Sequence, residues 1–225
     1  GRLGKFLNSG RFERWLYCPI DASGPRNVLS GVLGDTIRRF DRVAAYGLWG
    51  KGGIERSIGN GGVLLNGREV EWIPHGVNCN AFQPRDRVGA RMAVNGTDGV
   101  EVGQGDTLIG CVMSNQTRKD WGTVFCMFDQ LRRQRPGMKF WVHVDERIRH
   151  WNIPSLRQDY GLGGAVIVTE TGGMSDKEMS FMYSACDVTV LPSSEGFGYP
   201  SVESLACGVP VIHSSYAGGV ELVPN

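Results

Sequence analysis

The stretch from Pro192 to Pro210, PSSEGFGYPSVESLACGVP, constrains this chain more than any other. It follows an apolar run, Val188 to Leu191, that reads as a buried strand. A polar, glycine-rich turn comes next, then a short helical pattern that stops at Gly208-Val209-Pro210. A turn that leaves a parallel strand and starts a helix points free backbone N–H groups outward. The helix dipole adds partial positive charge there. Gly196 and Gly198 carry no Cβ and let a ligand approach the backbone. Pro200 suits the first helical position, where a missing N–H costs nothing. The stretch therefore predicts a site for a phosphate or another anion. Glu195 falls in the turn and Glu203 about one turn into the helix. Ionised carboxylates at those places can accept hydrogen bonds from sugar hydroxyls.

The rest of the chain alternates strand and helix patterns. Trp15 to Ile20, Arg42 to Tyr46 and Val70 to Pro74 read as strands, with helices over Arg26 to Arg39 and Leu48 to Ile58. A second series runs through strands at Thr107 to Met113, Lys139 to Val144, Val166 to Thr169 and Val188 to Leu191. Trp121, Val124, Phe125 and Phe128 form a core stripe on a helix over Lys119 to Arg133. Ser175-Asp-Lys-Glu178 is a capping box, and Met179, Met182, Tyr183 and Cys186 make one face of the helix behind it. Such alternation predicts an α/β fold with parallel sheets and right-handed crossovers. Ligands then bind at the C-terminal ends of the strands. Asn115 to Lys119, Thr169 to Met174, Glu195 to Pro200 and Tyr216 to Gly219 all fall there. Arg85 to Asp106 is polar and glycine-rich without periodicity, and reads as a linker. The expected division is 1–84, linker 85–106, and 107–225.

Composition removes several other classes. A net charge of +1 implies no nucleic acid or other acidic polymer as partner. No apolar run reaches the roughly 18 residues needed to span a membrane. The opening residues lack the long apolar core of a signal peptide. The 6 cysteines are scattered, without Cys-x-x-Cys, and several sit in apolar patterns. They read as reduced thiols in a cytoplasmic protein, not as a zinc site, and the sequons at Asn95 and Asn115 then read as chance matches. Gly50-Lys-Gly-Gly53 lacks the spacing of a phosphate loop, and Gly161-x-Gly163-Gly164 precedes a strand where a dinucleotide fingerprint would follow one.

Glu195-x7-Glu203, written EGFGYPSVE and followed by SLACGVPVI, resembles the signature of retaining glycosyltransferases with the two-Rossmann-domain GT-B fold. The likeness is to the large family 4 or group 1 class that includes many bacterial mannosyl- and glucosyltransferases. Ile73-Pro-His-Gly-Val-Asn78 with Phe82-Gln-Pro84 is similar to that family's P-[NH]-G-V-[DN]…F-x-P segment, which closes the N-terminal domain. Val211 to Glu221 is similar to its P-V-I…G-G-x-x-E segment. The likeness runs over most of residues 15 to 224 and is strongest from 107. Both Rossmann-like domains are expected to be incomplete and the chain to be a fragment, the acceptor-side domain keeping only its C-terminal part.

The resemblance implies transfer of a hexose from a nucleotide-diphosphate sugar, with retention, to a sugar, lipid or protein acceptor. Glu195 would be the catalytic acid beside the transferred sugar. The amides of Gly196, Phe197, Gly198 and Tyr199 would hold the diphosphate, and Glu203 the ribose. Arg118 and Lys119 would balance phosphate charge, and His75 would lie near the cleft floor. The family usually has Arg where Ser114 stands and Gly where Asp120 stands. No cofactor and no metal are expected, since amides and basic side chains do the neutralising. Localisation is expected to be cytoplasmic, with room for contact at a membrane surface. A nucleotide-binding module without transfer, and a GT-B epimerase or phosphorylase, are the alternatives.

Overall fold

The computed structural model describes residues 12–145, 150–170 and 172–222. Residues 1–11 of the opening segment read against a signal peptide, and Thr171 in the predicted Thr169 to Met174 loop, lie outside them. Contacts divide the chain into two compact units. One takes in residues up to Gly76, Ser194–Gly198 and the residues from Ser215; the other takes in Val77–Ser193 and Tyr199–Ser214.

In the first unit, β1 (Trp15–Cys18), α1 (Gly31–Ile37), β2 (Arg42–Ala45), α2 (Leu48–Ile58) and β3 (Glu71–Trp72) build a parallel sheet in the order β1-β2-β3. Ile20, Leu29, Ile37, Val43, Ala45, Ile54 and Ile58 are among its core residues. The predicted helix from Arg26 is shorter than expected. Arg26 and Asn27 adopt φ of 61° and 55°, which no helix tolerates, and α1 starts only after Ser30, whose Oγ accepts from the Leu33 N–H. Val32 and Leu33 are exposed on this helix, while Gly34 is packed so closely that a Cβ there would strike the Ser57 backbone.

The second unit begins with α3 (Arg87–Val94), which occupies the segment expected to be a linker. Asp86 caps it through the Gly89 N–H at 2.7 Å, and Ala90 and Val94 enter the core. The boundary between compact units therefore falls at Gly76, ahead of the expected linker. The sequence signal was weak because this helix is short and its key buried residue is an arginine. Arg91, 1% exposed, donates to the carbonyls of Ala185, Gly103, Gln104 and Asp106 and pairs with Asp187 at 2.5 Å.

The elements that follow are β4 (Thr107–Ser114), α4 (Trp121–Gln134), β5 (Met138–Asp145), α5 (Ile153–Asp159), β6 (Val166–Glu170), α6 (Asp176–Ala185), β7 (Val188–Leu191), α7 (Tyr199–Ala206) and β8 (Val211–His213). The strands form one parallel sheet, β6-β5-β4-β7-β8. Successive strand residues serve opposite faces. Phe140 and Val142 pack with the α4 stripe Trp121, Val124, Phe125 and Phe128, while Trp141 packs with Met179, Met182 and Tyr183 of α6. The capping box at Ser175 and Glu178 is formed. A short α8 (Gly219–Leu222) belongs to the first unit.

Truncating Arg91 removes one of the three donors to Asp187 and takes the guanidinium from the carbonyls of Ala185, Gly103, Gln104 and Asp106. Arg91→Ala is expected to cost about 3–5 kcal/mol, read as a lower urea midpoint at unchanged slope.

Candidate functional site

The polar groups of the second unit gather at the C-terminal ends of β4, β7 and β8, where parallel strands leave carbonyls and loops unpaired. Asn115 is buried and tied to Trp151 by two 2.9 Å bonds, Nδ2 to the carbonyl and N–H to Oδ1. That bond pair fixes the loop carrying Arg118 and Lys119. Arg118 is exposed and its Nε donates to Gln116 at 3.0 Å. Lys119 is buried, and its Nζ donates to Ser193 Oγ at 3.4 Å. Asp120, standing where the family has glycine, adopts φ 48° and caps α4 through Thr123. Asp is one of the few side chains that accept this backbone region.

Ser193, also buried, sits two residues after β7, and its carbonyl accepts from Ser214 Oγ. His213 ends β8. Its Nε2 is buried without a partner among the described residues, and burial holds its pKa below the usual value, opposed by the bond to the Ser214 carbonyl and assisted by the Lys119 charge. The buried Lys119 ammonium makes this an environment that favours an incoming anion, whereas the His213 Nε2, with Nδ1 bonded to the Ser214 carbonyl, is an acceptor that suits a ligand donor.

Glu203 projects from α7. Tyr183 donates its hydroxyl to Oε2 at 2.8 Å, while Oε1 has no hydrogen-bond partner among the described residues. Burial pushes the Glu203 pKa up, and the Tyr183 bond opposes that shift. Tyr199, at the start of α7, is exposed.

In the first unit the Glu195 turn is held on two sides. The Glu195 carbonyl accepts from the Gly218 N–H at 2.8 Å. Gly196 donates its N–H to Asp21 Oδ1 at 3.2 Å, and Ser194 Oγ donates to the Asp21 carbonyl at 2.7 Å. Only glycine fits at 196, since a Cβ would strike Tyr46, Ile20 and Asp21. Gly196 and Gly198 are buried and Phe197 half-buried. Tyr46 also donates to Asp21 Oδ1, at 2.8 Å, and burial raises its pKa. His75 stacks on Tyr46 with centroids 4.9 Å apart, meets the edge of Phe197 at 5.1 Å, and lies 3.2 Å from the Tyr17 hydroxyl. Glu221 accepts from the amides of Leu48 and Trp49 at 2.8 and 2.6 Å, so a carboxylate caps the positive end of α2.

The fold thus gathers Glu195, Gly196, Phe197 and His75 in one unit, and Lys119 and Glu203 in the other. Sequence reasoning missed Asp21, Tyr46, Ser193 and His213. Each lies within three residues of the C-terminal end of a strand, which is the signal that could have found them. It also read Tyr183 as core alone, because a phenol at helical spacing looks like any aromatic.

Two parallel α/β sheets, with polar side chains gathered at strand ends, define a GT-B type protein. The chain belongs to the glycosyl transferases group 1 family, whose model matches residues 105–225. It is 27% identical over 154 residues to a D-inositol 3-phosphate glycosyltransferase of Segniliparus rotundus, covering 67% of this chain and 33% of that protein. It is 27% identical over 164 residues to a GDP-mannose-dependent alpha-(1-6)-phosphatidylinositol monomannoside mannosyltransferase of Mycobacterium tuberculosis, covering 69% and 40%. The chain therefore spans well under half the length of these relatives. Among solved structures, sucrose-phosphate synthase from Thermosynechococcus elongatus superposes with a TM-score of 0.72 at 22% identity, over 97% of this chain and 54% of that one. Anabaena HepE in complex with UDP-glucose superposes at 0.68 with 16% identity, over 93% and 56%. These last two likenesses concern the fold. No described helix is long and apolar enough to cross a membrane.

Two pH effects follow. His143 is buried beside Thr169, 2.8 Å from Nδ1 to Oγ1, and burial pulls its pKa down to about 4. A histidine with a depressed folded pKa costs stability as pH falls from about 6.5 towards 4, here on the order of 3 kcal/mol. Replacing it with Gln is expected to flatten that limb of the stability-versus-pH curve. Glu203 has the opposite sign: its folded pKa is raised, so stability falls as pH rises from its unfolded value. Glu203→Gln is expected to melt higher than the parent near pH 7.5, with the gap closing towards about pH 4.

Proposed function

We propose that this chain carries the donor-binding machinery of a retaining hexosyltransferase that uses a nucleotide-diphosphate sugar. The observation that carries the reading is Glu203: a half-buried carboxylate with one oxygen bonded to Tyr183 and the other without a partner among the described residues. An acid keeps such an arrangement at a cost, and a ligand hydroxyl is the donor that would offset it. In this reading Glu203 accepts from the ribose. Lys119, buried at the strand ends, and Arg118 beside it take the diphosphate. The bond from the anomeric carbon to phosphate breaks, the diphosphate leaves with its charge balanced by these cations, and the acceptor oxygen bonds the same face of the sugar as its proton passes to the leaving phosphate oxygen. Glu195 orients the sugar and steadies positive character at its anomeric carbon.

The amides of Phe197, Gly198 and Tyr199 are assigned to the diphosphate with those cations. The Gly196 amide joins them only if Asp21 Oδ1 releases it. His75, stacked on Tyr46, is assigned to the acceptor side. The acceptor is a sugar, lipid or protein hydroxyl. The M. tuberculosis relative is a phosphatidylinositol monomannoside mannosyltransferase by name, which supports contact with a membrane surface.

Titration of the chain with GDP-mannose and UDP-glucose tests this, with transfer followed by mass spectrometry. Lys119→Ala is expected to weaken nucleotide-diphosphate binding by roughly 10- to 100-fold, the worth of a charge-assisted bond. Glu195→Ala is expected to keep binding and abolish transfer. Binding by the parent chain with no transfer to any acceptor would instead mark a nucleotide-binding module. Unchanged turnover in Glu195→Ala would remove that residue from the chemistry.

A further inference from the structure

Tyr183 is fully buried in the middle of α6, where its ring is fixed from two directions. Trp141 meets it at 5.3 Å and 84°, and Phe82 at 6.1 Å and 66°. Trp141 is itself anchored, since its Nε1 donates to Thr169 Oγ1 at 2.8 Å. A ring packed this way has one direction left for its hydroxyl, and that direction ends on Glu203 Oε2. Buried phenols seek an acceptor, and a phenol given an ionised one makes a bond about twice as strong as a neutral pair. The bond also fixes the carboxylate plane. With Oε2 pinned, Oε1 can meet a ligand without first losing side-chain entropy.

We propose that Tyr183 is a positioning residue that holds Glu203 by Oε2 so that Oε1 is presented to the vicinal hydroxyls of a nucleotide ribose. The inference rests on the donor-binding reading given above for Glu203. It adds that ribose recognition is built from the core outward: Thr169 orients Trp141, Trp141 orients Tyr183, and Tyr183 orients the acid. A carboxylate oxygen only accepts, so the matching ligand group must donate, and a diol offers two donors within reach of one acid. A ligand lacking both hydroxyls gains nothing from Glu203, however well it is held.

Calorimetric titration of the chain with GDP and with 2′,3′-dideoxy-GDP tests this, with UDP and its dideoxy form as a second pair. The parent is expected to favour the ribose form by about tenfold or more, the value of one such bond. In Tyr183→Phe the affinity for GDP falls by about tenfold, dideoxy-GDP binds as before, and the preference shrinks towards unity. In a Glu203→Gln background Tyr183→Phe adds little further loss, because the two act as one unit. A variant that loses affinity equally for both nucleotides, or that keeps the parent's preference, overturns the positioning role. A parent that binds no nucleotide, or binds both forms alike, overturns the reading of Glu203 and Tyr183 falls with it. If Tyr183→Phe does not fold, 3-fluorotyrosine at 183 keeps the ring and makes the hydroxyl a better donor. It is then expected to sharpen the ribose preference, and an unchanged preference would overturn the proposal.

Discussion

The carboxylate of Asp187 is the interaction on which the second unit depends. It stands at the start of β7, accepts from the Leu108 N–H of β4 at 2.8 Å, and takes the Arg91 guanidinium on the same oxygen. Arg87 reaches its other oxygen. One acid thereby sets the start of β7 against β4 and binds α3 beneath both. The register it fixes, Ile109 opposite Val188 and Gly110 opposite Thr189, determines where β7 ends. Ser193 and the turn that follows are aimed by that choice. The charge is tolerable in a partly covered place because three donors converge on it, whereas an unpaired acid there would cost several kcal/mol.

From that base the polar side chains of the strand ends are each held by a bond that uses only part of their capacity. Among the described residues His213 keeps a buried nitrogen unfilled, and Glu203 gives only one oxygen, to Tyr183. Groups like these cost stability in an empty protein and repay it when a ligand supplies the missing partner. The Glu195 turn of the first unit shows a related economy. Asp21 accepts from the Gly196 amide and from Tyr46 as well, so the turn is shaped by the protein's own groups.

Much of this was legible in advance, and what was not has identifiable causes. The α4 stripe, the capping box of α6 and the apolar strands announced themselves because periodicity and caps are local signals. The segment around Arg91 misled for the opposite reason: an arginine reads as surface, and its burial depends on carbonyls from residues 103 to 106 and on Ala185 and Asp187. The helix expected from Arg26 failed where two residues took positive φ, one of which, Asn27, donates to the Trp49 carbonyl. Tyr183 was placed correctly in the core and yet misjudged, since a helical pattern reports which way a ring points and not what its hydroxyl meets.

By itself the sequence determined the order of strands and helices, the parallel class of the sheets, and the chemical types at the turn from Glu195 to Glu203. Those properties follow from spacing between near neighbours, which a linear text records. Tertiary structure alone decided which partner each of those groups finds: Asp21 accepts from the Gly196 amide, Ser193 accepts from Lys119, and Tyr183 donates to Glu203. These partners lie between 20 and 175 positions apart along the chain. A hydrogen bond is made at about 3 Å or not at all, so only the folded backbone can choose among so many distant candidates.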